Sequence, residues 1–331
     1  MAVDLKGVRI EMRTGEAPLP LLVSRDSDIK LGQWVSAHQN WFGCALVEYG
    51  AILFRDFNVA TVDAFAGVLP SLSTQTLNYL YRSTPRTSVG ENVYTATEYP
   101  ADASIPMHNE NAYQRTWPRR LVFCCTQPAR IGGETPLART AAVTSRLGPE
   151  LVRMFARRGV MYIRNFGHGV DLSWETTFQT SSKVELETLC RRENIEWKWL
   201  SDSRLRTSQV CHGVARHPTT GEELWFNQAH LFHPSGLGPE RHKAMLNVFG
   251  EDDLPRNAMF GDGHRIEETM LYEIRQAFDE EAVVFSWQKG DLLVLDNMLV
   301  AHGRRPYTGS RRILLAMCDP MTSDFRPGKD T

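Results

Sequence analysis

Cysteine is scarce in this chain and shows no pattern. Six cysteines stand among 331 residues. None has CxxC spacing, and Cys124 and Cys125 are neighbours inside an apolar run. Nothing points to a disulfide or zinc scaffold, and a chain this long buries a sizeable core without one. The thiols read as buried and reduced. Long apolar runs are also missing, with no stretch near the roughly 20 residues that a membrane helix needs. Met1 to Lys6 lacks a charged-then-apolar leader pattern. These absences predict a cytoplasmic protein with no membrane partner. Charge of one sign is lacking too: 37 Lys and Arg stand against 39 Asp and Glu, a net charge of −2. No broad field therefore favours nucleic acid, and pairs such as Arg157–Arg158 and Arg191–Arg192 read as solvated surface. There is no repeat at a period of roughly 20–50 residues. HExxH, GxSxG, the P-loop and GxGxxG are all absent, which removes several common hydrolase and nucleotide-binding chemistries.

What is present is a series of short strand signals separated by turns. Ala51–Phe54, 92–99, Leu121–Thr126, 282–286, Asp291–Asp296 and Ile313–Met317 read as strands. Residues 210–217 and 222–227 flank a turn at Pro218–Gly221 as a hairpin. Helices are expected over Lys30–Trp41, from Thr61 or Asp63 to Leu69 with Pro70 ending it, over 140–158 with a break at Gly148–Pro149, and over 237–249 and 264–278. Ser182 and Glu185 form a capping box inside a polar stretch, 171–208. The predicted architecture is mainly β with flanking helices: one domain over 1–331 with a jelly-roll core. Segment 171–208 is read as an insertion that covers the active site as a lid.

Three pieces carry chemistry. In Pro106-Met-His108-Asn-Glu110, extended backbone puts residues i and i+2 on one face, which pairs an imidazole with a carboxylate. Farther on, Gly290–Asp296 is an apolar strand that delivers His302, followed by Gly303. Arg311 and Arg312 come next, at the head of another apolar strand. Two neutral imidazoles and a carboxylate on one face of an octahedral ion suit Fe(II). Three positions then stay open, two for the keto oxygen and adjacent carboxylate of a 2-oxoacid and one for O2. The far carboxylate of 2-oxoglutarate calls for the fork geometry of arginine. Arg311 and Arg312 point to opposite faces of a strand, so only one of them reaches the cosubstrate. Arg312, ten residues after His302, is the predicted one.

These residues resemble the TauD/TfdA (taurine dioxygenase-like) family, and most closely its clavaminate synthase-like and SyrP-like members, which carry HxE where others carry HxD. The matching stretches are IPMHNENAY, GGETPLART, ELWFNQAHLFH and GDLLVLDNMLVAHGRRPYTGSRRILLAM, with GAILFRDF matching more weakly. The resemblance implies a double-stranded β-helix, a cupin-like jelly roll. It implies Fe(II) on His108, Glu110 and His302, with 2-oxoglutarate held by Arg312 and Thr135. It also implies hydroxylation of an amino acid or an amino-acid-derived secondary-metabolite precursor, free or bound to a carrier protein, with succinate and CO2 as co-products. Desaturation or cyclisation uses the same cofactors. Family halogenases lack the carboxylate that Glu110 supplies here. Taurine dioxygenase-like members carry a second Arg four residues after the cosubstrate Arg, where this chain has Ala316, which argues against a simple sulfonate as substrate.

Other residues have weaker assignments. Tyr99, Asn227 and Gln228 are candidate substrate contacts, because amides read amino and carboxyl groups in both directions. His230 and His233 read as core or loop histidines rather than ligands, and Asn109 and Asn111 as structural. Two rival classes remain: a non-catalytic cupin-like binding protein, and a metal-dependent isomerase or hydrolase in which the cosubstrate Arg would have no role.

Overall fold

The structure is a computed structural model. It describes residues 5–11, 19–77, 81, 83, 84, 86–96, 99–201 and 203–325. Residues 1–4 and 97–98, which the sequence reading reached, lie outside them. At its centre is an eight-stranded sheet in the order Val8–Glu11, Leu21–Arg25, Ala51–Arg55, Leu292–Asp296, Thr116–Gln127, Arg312–Thr322, Val93–Thr95, Ser88–Gly90. Every pairing is antiparallel except Leu21–Arg25 with Ala51–Arg55.

Alternation along the central strands decides which layer each side chain joins. Val122, Cys124, Leu292, Val294, Leu314, Ala316 and Cys318 face one side. There they pack on Trp34, Phe42 and Phe65 from three N-terminal helices, Leu31–Ala37, Gln39–Tyr49 and Val62–Leu72. Leu121, Phe123, Cys125, Leu293, Leu295, Ile313, Leu315 and Met317 face the other side, with Phe226 and Trp287. Burying each such side chain is worth roughly 1.5–3 kcal/mol, so both faces of the sheet are strongly specified. The second face looks toward a three-stranded sheet, Ile105–His108, Val300–Arg304 and Leu137–Arg139. The candidate site lies on this face.

Several elements differ from expectation. The helix expected over 30–41 is two helices that meet at His38, whose Nδ1 lies 2.8 Å from the Trp34 carbonyl. Thr61 caps its helix as expected, but Pro70 lies inside the last turn rather than ending it. Residues 282–286 make a single bridge, Val283 to Leu137, in place of a strand. Segment 171–208 is not a free insertion: it supplies Glu196–Trp199 and the start of Leu205–Cys211 to a four-stranded sheet with Val160–Phe166 and Arg256–Phe260. It also buries its own core of Trp174, Phe178, Leu186, Cys190 and Leu205. The expected capping box holds to the extent that Ser182 Oγ accepts the Glu185 N–H. Five cysteines are buried as expected, whereas Cys44 is exposed. Among the described residues, no helix is long and apolar enough to cross a membrane.

Candidate metal centre

His302 sits in the middle of the Val300–Arg304 strand rather than at the exit of Leu292–Asp296. The two strands are joined by a turn that Asp296 organises, its Oδ1 accepting the Met298 and Leu299 N–H groups at 3.0 and 3.3 Å. The other oxygen of Asp296 faces buried His217 Nε2 at 3.1 Å and Arg119 at 3.3 Å. The returning strand pairs His302 directly with His108, which brings the two rings to 4.6 Å between centroids. Gly303 makes this approach possible. A Cβ there would lie 2.7 Å from the Ile105 carbonyl oxygen and 3.2 Å from Met107 Sδ. Gly303→Ala is therefore expected to destabilise the protein by ~1–3 kcal/mol and to weaken metal affinity, as read by thermal melting and Mn(II) titration.

Glu110 lies just past the end of its strand, in the turn after His108. Asn297 holds that turn: its Oδ1 accepts the Glu110 N–H at 2.7 Å, and its Nδ2 donates to the Glu110 and Pro118 carbonyls at 2.9 and 2.8 Å. Asn109, facing away, donates to the Asn297 carbonyl at 2.6 Å. One donor atom from each of His108, Glu110 and His302 lies within 4.8 Å of the others. His108 Nδ1 sits 2.8 Å from the Pro106 carbonyl and donates to it, which leaves Nε2 as the lone-pair nitrogen. Burial pushes the pKa of both imidazoles down, that of His302 well down with proximity to His108 adding to the effect. Both rings are thus neutral donors near pH 7. A pair of neutral imidazoles with a carboxylate is a donor set that fits a divalent iron ion.

The three donors open into a narrow cavity also lined by Arg86, Phe123, Thr135, Arg304, Arg311, Ile313 and Leu315. Arg86 donates to Glu110 Oε2 at 2.7 Å, with both side chains almost fully buried. Thr135 Oγ1 accepts the Trp287 indole N–H at 3.0 Å, so its own proton is free to donate elsewhere. Arg304 is committed to the Tyr99, Pro100 and Ala103 carbonyls and straps the loop that precedes Ile105–His108.

Of the neighbouring pair, Arg311 lines the cavity and Arg312 does not. Arg312 is exposed and does not line the cavity. Ile313 and Leu315 line it, as does Arg311 just ahead of their strand. Arg311 Nε donates to the Gly133 carbonyl at 3.0 Å, and among the described residues no carboxylate forms an ion pair with it. Burial lowers its pKa to about 10, and the neighbouring Arg304 charge adds to the effect. A half-buried guanidinium in this state suits an anionic ligand. Correspondingly, the position four residues past it is Leu315, in the cavity, whereas Ala316 packs on the helical side of the sheet.

The amide candidates are used internally. Asn227 Nδ2 donates to the Gly213 carbonyl at 2.7 Å and its Oδ1 accepts the Ala229 N–H. Gln228 Nε2 donates to the Asn109 carbonyl at 2.7 Å. Neither lines the cavity. His230 is buried with Nε2 3.0 Å from the Met107 carbonyl, a structural histidine. Tyr99 is half-exposed and borders a second, wider cleft of about 720 Å³ that also takes in Thr84, Val170, Leu172, Phe232 and Leu237. Sequence reasoning missed Arg86, since a lone Arg far ahead of the HxE carries no pattern. It also missed Asn297, although the Asp296–Asn297 pair ending an apolar strand was a usable signal.

A family model described as "Taurine catabolism dioxygenase TauD, TfdA family" matches residues 16–318. The dapdiamide synthesis protein DdaC of Enterobacter agglomerans is 41% identical over 308 residues, 93% of each chain. A clavaminate synthase-like protein of Arabidopsis thaliana is 31% identical over 86% of each. Among solved structures, PvcB of Pseudomonas aeruginosa is similar in fold, with a TM-score of 0.55 at 15% identity over 96% of this chain and 92% of that one.

Proposed function

Since the chain belongs to the TauD/TfdA family of dioxygenases, enzymes that use Fe(II) and 2-oxoglutarate, we propose that it hydroxylates an unactivated C–H bond of an amino acid or an amino-acid-derived natural-product precursor. The observation that carries this reading is the convergence of His108, Glu110 and His302 beside Arg311, a half-buried cation with no ion-pair partner among the described residues. Bound iron supplies the oxidation: O2 and 2-oxoglutarate give succinate, CO2 and one oxygen atom for the substrate. The chain's own residues hold and shield. His108, Glu110 and His302 are the metal ligands. Arg311 takes the far carboxylate of 2-oxoglutarate through charge-assisted hydrogen bonds, and Thr135 adds the proton that Trp287 leaves unused. Phe123, Ile313 and Leu315 keep water from the cavity.

The wider cleft is the proposed substrate site. It runs beside the metal cavity: Thr84 and Tyr99 line one while Arg86 and Ala96 line the other. Arg304 reaches from the cavity to the Tyr99 carbonyl. Tyr99, Val170 and Leu237 are exposed large apolar side chains that all border it, which suits an apolar portion of a small molecule. Leu315 in place of a second arginine supports a substrate other than a simple sulfonate. The name of the 41%-identical relative, a dapdiamide synthesis protein, supports a place in natural-product synthesis, with the substrate free or presented by a carrier protein.

The test is a panel of free and carrier-bound amino acids, with succinate measured beside the mass of the product. Gain of one oxygen with matching succinate is the expected result. Loss of two hydrogens would replace hydroxylation by desaturation or ring closure. No succinate with any candidate would favour a non-catalytic binding protein.

A further inference from the structure

Asn297 fixes the backbone of Glu110, but it cannot fix the carboxylate. Glutamate has one more torsion than aspartate, and its terminal torsion is broad and roughly two-fold. A glutamate ligand beside an iron ion can therefore bind through one oxygen or swing to present both. Two oxygens would occupy a position that the cosubstrate needs. The side chain that settles this is Arg86. It enters just ahead of the edge strand Ser88–Gly90 and donates to Oε2 of Glu110 at 2.7 Å, with the two side chains 3% and 4% exposed.

We infer that Arg86 is a positioning residue that keeps Glu110 a one-oxygen metal ligand and so preserves the place where 2-oxoglutarate chelates. The inference rests on the metal reading of His108, Glu110 and His302. The buried guanidinium takes up one lone pair of Oε2 and draws on its charge, which leaves the other oxygen the stronger donor to an ion among the three ligands. The pair is buried on both sides, so the hydrogen bond is not traded for water as a surface ion pair would be. Arg86 is also a positive charge next to a site for a dication and opposes the metal electrostatically. A guanidinium kept there serves the geometry of the ligand rather than the strength of metal binding.

That distinction gives the test a signature that a merely structural role would not produce. Mn(II), and then 2-oxoglutarate on the Mn(II)-loaded protein, are titrated by calorimetry into the full chain and into Arg86→Gln. The expected result is a Mn(II) Kd as tight as wild type or tighter, with the 2-oxoglutarate Kd weakened at least ~10-fold, the scale on which supporting partners of metal ligands act. Arg86→Lys keeps the cation and one donor, and is expected to weaken 2-oxoglutarate by about threefold with Mn(II) binding intact. If Arg86→Gln does not fold, the lysine variant decides. A weaker Mn(II) Kd in the variant would assign Arg86 to holding the site together and overturn the inference, and so would unchanged 2-oxoglutarate affinity. Wild-type protein that takes up no Mn(II) would instead overturn the three-ligand reading itself.

Discussion

Arg311→Ala is expected to raise the KM for 2-oxoglutarate by on the order of 10²–10³-fold, whereas Arg312→Ala leaves it near the wild-type value. Truncating one partner of a buried, hydrogen-bonded charge pair costs about 2–5 kcal/mol, and about 1.4 kcal/mol is a factor of ten. Arg311 approaches those conditions: it lines the candidate metal cavity half-buried, is directed by the Gly133 carbonyl, and has no ion-pair partner among the described residues. Arg312 is exposed. Steady-state succinate formation at varied 2-oxoglutarate checks both. Turnover that survives Arg311→Ala at low cosubstrate would favour the isomerase or hydrolase alternative.

The second large effect concerns Glu110. Replacing it with alanine is expected to abolish turnover, but the fold is not spared as it would be for an exposed ligand. The change breaks the buried pair of Arg86 with Glu110, which costs about 3–5 kcal/mol and should appear as a lowered melting temperature. Glu110→Gln is the cleaner probe. It keeps the volume and an acceptor for Arg86 and removes the negative charge. Metal affinity is then expected to fall by at least ~10²-fold, more than the loss of a supporting partner, while the melting temperature falls less than in Glu110→Ala because the hydrogen bond to Arg86 is kept. His302→Ala should behave like Glu110→Gln in metal affinity. Metal titration and thermal melting of the same preparations separate the two effects. Unchanged metal affinity in Glu110→Gln would remove Glu110 from the ligand set.

The convergence of His108, Glu110 and His302 was legible because chemistry and spacing coincide: an HxE segment leaving a strand and a histidine behind an apolar strand leave few other uses for those residue types. The jelly-roll core was legible for a similar reason, since strands such as Leu292–Asp296 and Arg312–Thr322 are short apolar runs between turn residues. The choice between Arg311 and Arg312 failed on symmetry. Ile313, Leu314, Leu315 and Ala316 are all apolar because both faces of that strand are covered, so no polar–apolar alternation marks the cavity side, and counting residues from His302 selected the neighbour that is exposed. The sheet membership of segment 171–208 was not legible because its strand Glu196–Trp199 lies at a sheet edge and is half wet, which reads as polar surface. Asn227 and Gln228 looked available to a ligand because sequence cannot reveal that the Gly213 and Asn109 carbonyls already claim them. Arg86 was invisible because its partner lies 24 residues away, and the pair exists only once the edge of the sheet has folded over the turn that carries Glu110.

The most direct measurement is a crystal structure of the full chain, grown without oxygen in Mn(II) and 2-oxoglutarate. One metal bonded to His108, Glu110 and His302, with the far carboxylate of the cosubstrate on Arg311, is the outcome this account requires. A metal bound by other residues, or a cosubstrate whose tail is held away from Arg311, would contradict it.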